Sequence, residues 1–141
     1  MAEFLTAGAL ARATRVNRET IRYYERRGLL QRPMRSSAGY RQYPAAVAQR
    51  IRFIKHAQAL GFSLEEIAEL LRLRLKPNGS CAEVKARADQ KIADIDRRIR
   101  ALKEMQRALA AVAASCTGRG PSAECPILDA LDQRAFANAD H

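Results

Sequence analysis

Residues 6–30 read TAGALARATRVNRETIRYYERRGLL, a pattern that predicts two short helices joined by a tight turn. Thr6 can cap a first helix that runs to Ala13, because a threonine hydroxyl accepts a hydrogen bond from a free N–H of the first turn. After a three-residue break, Asn17 can cap a second helix, which we expect to end at Gly28. Two short helices with such a turn form a helix-turn-helix, predicted here over about residues 6–27.

The second helix has an outward face suited to nucleic acid. Ile21 and Tyr24 lie three residues apart on one inner face, whereas Arg18, Glu19, Arg22 and Tyr23 are free to face outward. Arginine can pair with guanine or phosphate through two hydrogen bonds, and a tyrosine hydroxyl can bind phosphate. For Tyr24, core packing and DNA contact both remain open.

The following segment, residues 31–43, predicts a β-hairpin or wing. Pro33, two serines and Gly39 supply turn residues before the short extended run from Tyr40 to Tyr43. Arg35 and Arg41 bring positive charge to this wing. Further helices are predicted over residues 45–60, opened by Pro44, and 64–73, capped by Ser63 with Glu66 at the capping-box position.

The net charge of +10 is concentrated in the first half of the chain. Residues 1–76 hold 15 Lys and Arg against 6 Asp and Glu, whereas residues 77–141 hold 10 against 9. Clustered positive charge favours a polyanionic partner, since neutralising phosphates releases counterions from nucleic acid. Few aromatic residues and no tryptophan favour a mainly α fold, and without an apolar run of membrane-spanning length we expect no membrane partner and a cytoplasmic location.

A long helix without glycine or proline is predicted from residue 84 to residue 113. Its apolar positions alternate by four and three residues, which is the seam of a coiled coil. So narrow a seam favours pairing with a second copy of the chain rather than burial within one monomer. The seam residues are Ala88, Ile92, Ile95, Ile99, Leu102, Gln106 and Leu109.

In its order of motifs the chain resembles the MerR family of transcription regulators. The resemblance is carried by Glu19-Thr20-Ile21-Arg22-Tyr23-Tyr24-Glu25-Arg26, Gly28-Leu29-Leu30, Gly39-Tyr40-Arg41-Gln42-Tyr43, Arg52-Phe53-Ile54-Lys55, Leu60-Gly61-Phe62-Ser63-Leu64-Glu65-Glu66-Ile67 and Leu70-Leu71. It implies a winged helix-turn-helix domain over residues 1–76, then a dimerisation helix over residues 81–114 that pairs as an antiparallel coiled coil. It also implies double-stranded promoter DNA and RNA polymerase as partners, with DNA contacts from Arg18, Arg22, Tyr23, Tyr24, Tyr40 and Arg41. One departure is Arg15, at a turn position where many members have glycine.

Three cysteines suggest a sensor for a thiophilic metal. Cys81 precedes the long helix, whereas Cys116 and Cys125 follow it in a loop and short helix over residues 115–131. About thirty helical residues span roughly 45 Å, so the two ends of one chain cannot share an ion. In an antiparallel dimer, Cys81 of one chain approaches Cys116 and Cys125 of its partner.

Three thiolates favour a soft ion over Mg²⁺ or Ca²⁺. The cysteine spacing resembles that of the mercury-responsive branch, which implies Hg(II), with Pb(II), Cd(II) or Zn(II) as alternatives. By the same resemblance the regulator represses without metal and activates with it. A thiol redox sensor that uses Cys116 and Cys125 is a rival interpretation, whereas no catalytic constellation predicts an enzyme. Residues 132–141 are expected to be a disordered tail.

Overall fold

The computed structural model describes residues 4–133, and this part of the chain is mainly α-helical, as predicted. The tail was expected over residues 132–141, but Asp132 ends the last described helix, and the part beyond Gln133 lies outside the described residues. In chain order the elements are β1 (Phe4–Leu5), α1 (Ala7–Thr14), α2 (Arg18–Arg26), β2 (Met34–Arg35), β3 (Arg41–Pro44), α3 (Ala46–Ala59), α4 (Leu64–Leu75), α5 (Cys81–Ala114), a 3-10 turn (Ser122–Glu124) and α6 (Pro126–Asp132).

The helix-turn-helix forms from α1 and α2 with both predicted caps in place. The Thr6 hydroxyl accepts a hydrogen bond from the Ala9 N–H, and the Asn17 side chain accepts one from the Thr20 N–H. Between the helices, Arg15 closes α1 in the left-handed backbone conformation, at φ 58°. The two caps and this turn fix where α2 begins, and therefore which of its residues face outward.

The wing is a small antiparallel sheet with strand order β1-β3-β2. Arg35 pairs with Arg41 across the predicted hairpin, and Leu5 pairs with Tyr43 on the other side of β3. The β1 strand was not predicted, because two residues before a helix cap carry no alternating pattern. It places the wing beside the start of α1.

Helices α3 and α4 complete the N-terminal half of the fold. The predicted capping box at the start of α4 is present, with reciprocal hydrogen bonds between Ser63 and Glu66. Pro44 was expected to open α3 but instead ends β3, and α3 begins at Ala46 without a side-chain cap.

The apolar core lies between α1, α2, α3, α4 and β3, and three aliphatic positions predicted from helical spacing, Ile51, Ile54 and Ile67, are fully buried in it. Its members are Leu10, Ile21, Tyr24, Leu29, Leu30, Tyr43, Ala48, Ile51, Ile54, Ala57, Ile67 and Leu71.

The chain divides into two compact units, of which the first runs to Ala86 and the second begins at Arg87. Helix α5 is continuous over 34 residues, which corresponds to a length of about 50 Å. Within residues 4–133 we find no helix long and apolar enough to cross a membrane.

Candidate DNA interface and metal-binding cysteines

A basic cleft of about 610 Å³ opens between the start of α1, the exposed face of α2 and the wing. Four arginines and no acidic side chain contribute to its walls. An array of guanidinium groups on a concave surface suits the phosphate backbone of DNA. The lining residues are Thr6, Ala7, Gly8, Arg18, Arg22, Arg35, Gly39, Tyr40 and Arg41.

The wall residues are held by local contacts. Arg18 lies directly over Gly8, since a Cβ on Gly8 would stand only 2.6 Å from Nη2 of Arg18. In the wing, Nη1 of Arg35 donates to the carbonyl oxygen of Gly39 at 2.9 Å, which ties the arginine across the hairpin turn. Arg18, Arg22, Tyr40 and Arg41 were predicted DNA contacts, and the fold brings all four to this one cleft.

The two adjacent tyrosines of α2 differ in environment. Tyr23 is 40% exposed, and the guanidinium groups of Arg26 and Arg27 lie 5.8 and 6.0 Å from its ring centre. Tyr24 is only 3% exposed, and its hydroxyl donates to Oε1 of Gln58 at 2.8 Å. The side chain of Tyr24 thus belongs to the core between α2 and α3, which favours core packing over the DNA contact predicted for it. Burial also raises the pKa of Tyr24.

A closed triangle of hydrogen bonds joins α2 to the wing. Nη1 of Arg41 donates to Oε2 of Glu25 at 2.9 Å and to the Tyr43 hydroxyl at 3.2 Å, and that hydroxyl donates to Oε1 of Glu25 at 2.6 Å. Burial and the hydrogen bond to Glu25 raise the pKa of Tyr43. The hydrogen bond to Tyr43 and the charge of Glu25 raise the pKa of Arg41, although burial opposes them. Arg41 therefore stays cationic at the edge of the cleft.

A second basic cleft, of about 500 Å³, lies against the same wing and shares Arg35 and Arg41 with the first. Arg26 and Arg32 also line it, and sequence reasoning did not select either of them. Glu25 is the acidic member of its lining. Sequence reasoning missed the contacts of Glu25 as well, because its partners Arg41 and Tyr43 lie on the wing and no local pattern links them to α2.

The predicted dimer seam is an uncovered apolar stripe on α5. Five aliphatic side chains at the predicted positions are between 37% and 61% exposed in the single chain. They are those of Ile92, Ile95, Ile99, Leu102 and Leu109. Apolar groups repeated along one stripe favour burial against another helix.

Two of the three cysteines lie close together. Cys116 lies near enough to Cys125 to lower the pKa of its thiol, and the Gly118 N–H points at the Cys116 sulfur at 3.4 Å. The backbone N–H groups of Leu128 and Ile127, at the start of α6, lower the pKa of the Cys125 thiol. The neighbouring Cys116 acts in the same direction, while burial and the nearby Asp129 carboxylate raise this pKa.

Cys81 is the first residue of α5 and is exposed. Among the described residues of one chain, no three His, Cys, Asp or Glu side chains are grouped so that they could hold an ion. The single chain thus presents a pair of thiols at one end of α5 and a lone thiol at the other.

The chain is similar to known regulators over nearly its full length. Residues 5–73 match the family described as MerR HTH family regulatory protein, and residues 48–112 match the family described as MerR, DNA binding. The HTH-type transcriptional regulator ZntR of Escherichia coli K12 is 40% identical, over 91% of this chain and 92% of its own length.

Two further relatives are named for heavy metals. The mercuric resistance operon regulatory protein of Pseudomonas fluorescens is 41% identical, over 92% of this chain and 88% of its own. The crystal structure of the transcription regulator PbrR691 from Ralstonia metallidurans CH34 in complex with lead(II) superposes with a TM-score of 0.78 at 36% identity, covering 90% of this chain and 98% of that one. The helix-turn-helix, the basic cleft and the 40% identity over 91% of the chain all agree. The chain belongs to the MerR family of DNA-binding transcription regulators and is not an enzyme.

Proposed function

We propose that this chain is a metal-responsive regulator that binds promoter DNA in the cytoplasm as a homodimer, represses without metal and activates RNA polymerase when it holds Hg(II). The ion is bound by Cys81 of one subunit together with Cys116 and Cys125 of the other. The observation that carries the proposal is the pairing of Cys116 with Cys125 at one end of a helix that begins with Cys81.

An antiparallel dimer supplies the missing donor. The exposed stripe on α5 gives the two helices a reason to pair. In an antiparallel pair, the first residue of one helix lies near the last residues of the other. Two equivalent sites with three sulfur donors each then follow from the two-fold symmetry.

The donor set selects the ion by its softness. Thiolates prefer Hg(II), Pb(II) and Cd(II) to hard cations, and zinc sites usually take a fourth ligand. Lowering of the pKa of the Cys125 thiol suits it to metal binding, because the thiolate is the ligand. Hg(II) is the proposed effector by the cysteine spacing, and the relatives named for mercury and for lead(II) support this group of ions.

Metal acts by favouring one state of the dimer on DNA. The dimer holds promoter DNA with and without metal, and an ion that joins both subunits binds one conformation of the dimer better than the other. The free-energy difference is expressed as bending and untwisting of the promoter, so activation need not change the affinity for DNA.

The test is an anaerobic titration of the reduced protein with Hg(II), Pb(II), Cd(II) and Zn(II) against a competing thiol. Wild type and Cys81→Ser are compared, with Ser115→Ala as a control that changes a neighbour of Cys116 and leaves all three thiols. We expect tight Hg(II) binding that is lost in Cys81→Ser and kept in Ser115→Ala. Tighter binding of Pb(II) or Cd(II) than of Hg(II) would make that ion the effector in place of mercury. Equal Hg(II) binding by wild type and Cys81→Ser would reject the shared site.

A second candidate function is redox sensing, favoured by the proximity of Cys116 to Cys125 and the lowered pKa of the Cys125 thiol. Oxidation by a peroxide would join these two sulfurs in a disulfide within one chain. Such a sensor would respond fully in the Cys81→Ser variant, whereas the metal sensor would not. Transcription from the bound promoter, measured with peroxide and with Hg(II), separates the two.

A further inference from the structure

Glu25 is an acidic residue on a surface built for a polyanion, which calls for a physical reason. Its side chain is 9% exposed, and both carboxylate oxygens are engaged, Oε1 by Tyr43 and Oε2 by Arg41. It is the acidic member of a cleft otherwise lined by four arginines and a proline. A negative charge in this cleft repels the phosphates of DNA, so its presence needs another explanation.

The contacts of Glu25 join two elements that must meet DNA together. Glu25 lies on α2, whereas Arg41 and Tyr43 lie on β3 of the wing. Arg41 lines both basic clefts, so the position of its guanidinium decides how the wing meets the backbone of a duplex. Charged hydrogen bonds of good length are strong and directional when partly buried.

From this geometry we infer that Glu25 is a positioning residue for DNA binding, which holds Arg41 and the wing at a fixed place relative to the recognition helix α2. The inference rests on the proposed function only in taking duplex DNA as the partner. It concerns a residue whose two carboxylate oxygens are already engaged by Arg41 and Tyr43. Without the carboxylate, Arg41 keeps its charge but loses the hydrogen bond that fixes its orientation. Ordering its side chain on DNA then lowers the net binding free energy.

The sign of the effect distinguishes positioning from simple charge. Removal of a negative charge near phosphates should tighten DNA binding by electrostatics alone. Removal of a positioning carboxylate should weaken it. Glu25→Gln keeps the size of the side chain and removes the charge, so the two interpretations predict opposite changes in Kd.

The experiment uses the full-length dimer and a 30-base-pair duplex that the wild-type protein selects from a random pool. We expect Glu25→Gln to weaken binding about tenfold and to reduce the salt slope of log K by about one, as loss of one phosphate contact does. Glu65→Gln is the matched control, since it removes an exposed carboxylate that lines neither basic cleft. It should leave binding unchanged or slightly tighter.

A double-mutant cycle tests whether Glu25 acts through Arg41. Arg41→Gln should weaken binding, and adding Glu25→Gln to it should cost nothing further. Tyr43→Phe removes one hydroxyl from the triangle and should weaken binding by a smaller factor. This variant replaces Glu25→Gln in the test if Glu25→Gln does not fold. Unchanged or tighter binding in Glu25→Gln and Tyr43→Phe, or full additivity in the cycle, would overturn the inference. Failure of the wild type to select any duplex would instead reject the proposed function.

Discussion

Arg15 holds a backbone conformation that disfavours a side chain. At φ 58° it closes α1 in the left-handed region, where an L residue with a Cβ costs about 1 kcal/mol relative to glycine. Its side chain is exposed, so little packing offsets that cost. The free energy of unfolding of this domain thus includes a local penalty at the turn of the helix-turn-helix.

We predict that Arg15→Gly raises the free energy of unfolding by about 0.5–1 kcal/mol, because glycine adopts this conformation without strain. Urea denaturation at a fixed dimer concentration measures the change. Arg15→Ala is the control, since it removes the guanidinium but keeps a Cβ, and it should leave stability near the wild-type value. Equal stability of the two variants would show that the backbone is not strained there.

Tyr24 and Tyr23 give a paired prediction from their different environments. Tyr24→Phe removes the hydrogen bond to Gln58 and should lower the free energy of unfolding by about 1 kcal/mol, with no change in DNA affinity. Tyr23→Phe should leave stability unchanged and weaken DNA binding, because its exposed hydroxyl is free to reach phosphate. Thermal unfolding and fluorescence anisotropy with duplex DNA measure the two effects. Weaker DNA binding by Tyr24→Phe would show that Tyr24 contributes to the DNA interface after all.

At the scale of elements, helix α5 leaves a stripe of aliphatic side chains uncovered in the single chain. An aspartate in the middle of a buried seam would lose its hydration without gaining a partner. We predict that Ile99→Asp weakens dimerisation at least about a hundredfold, the equivalent of a few kcal/mol. Sedimentation velocity over a range of protein concentrations measures this.

The control is Ala101→Asp, which places the same charge two residues away and off the stripe of alternating four- and three-residue spacing. It should leave the protein dimeric. If Ile99→Asp also sediments as a dimer, a different surface joins the subunits.

The elements differ in how far the sequence predicts them. Caps and periodicity predicted α1, α2, α4 and α5 to within a few residues, because Thr6, Asn17 and Ser63 make local hydrogen bonds that leave a pattern in the chain. Strand β1 was missed, since pairing with β3 depends on residues about forty positions away. Tyr24 was assigned to DNA for a similar reason, because its partner Gln58 is distant in sequence.

The candidate site shows the same division. Residue type and spacing pointed to the arginines of α2 and to the cysteines. The triangle of Glu25, Arg41 and Tyr43 depends on how the wing packs beside α2, which no local pattern encodes. The proximity of Cys116 to Cys125 depends in turn on the path of the loop before α6.

At the scale of the whole molecule, the proposed metal site belongs to the dimer and to neither chain alone. Cys81→Ser and Cys116→Ser each remove one donor from both sites of a homodimer. In a mixed dimer of these two variants, one site keeps all three thiols and the other loses two. We predict that neither variant alone binds Hg(II) tightly, and that mixing with subunit exchange restores one ion per mixed dimer.

Native mass spectrometry of the exchanged sample counts the ions on each dimer. A mixture of wild type with Cys81→Ser serves as the control, and its mixed dimer should also carry one ion. If the site lay within one chain, no ion would return on mixing the two variants.

The length of helix α5 separates Cys81 from the other two cysteines. The helix runs without interruption for 34 residues, with one thiol on its first residue and the next just past its end. Inserting or deleting a single residue would turn everything beyond it by about 100° and shift the apolar stripe out of phase. Only steps of seven residues, about 10 Å each, keep the stripe aligned and the thiols of an antiparallel pair opposite one another. We therefore expect substitutions on the polar faces of α5 to be tolerated more readily than any change in its length, and the two metal sites of the proposed dimer to move apart only in whole heptads.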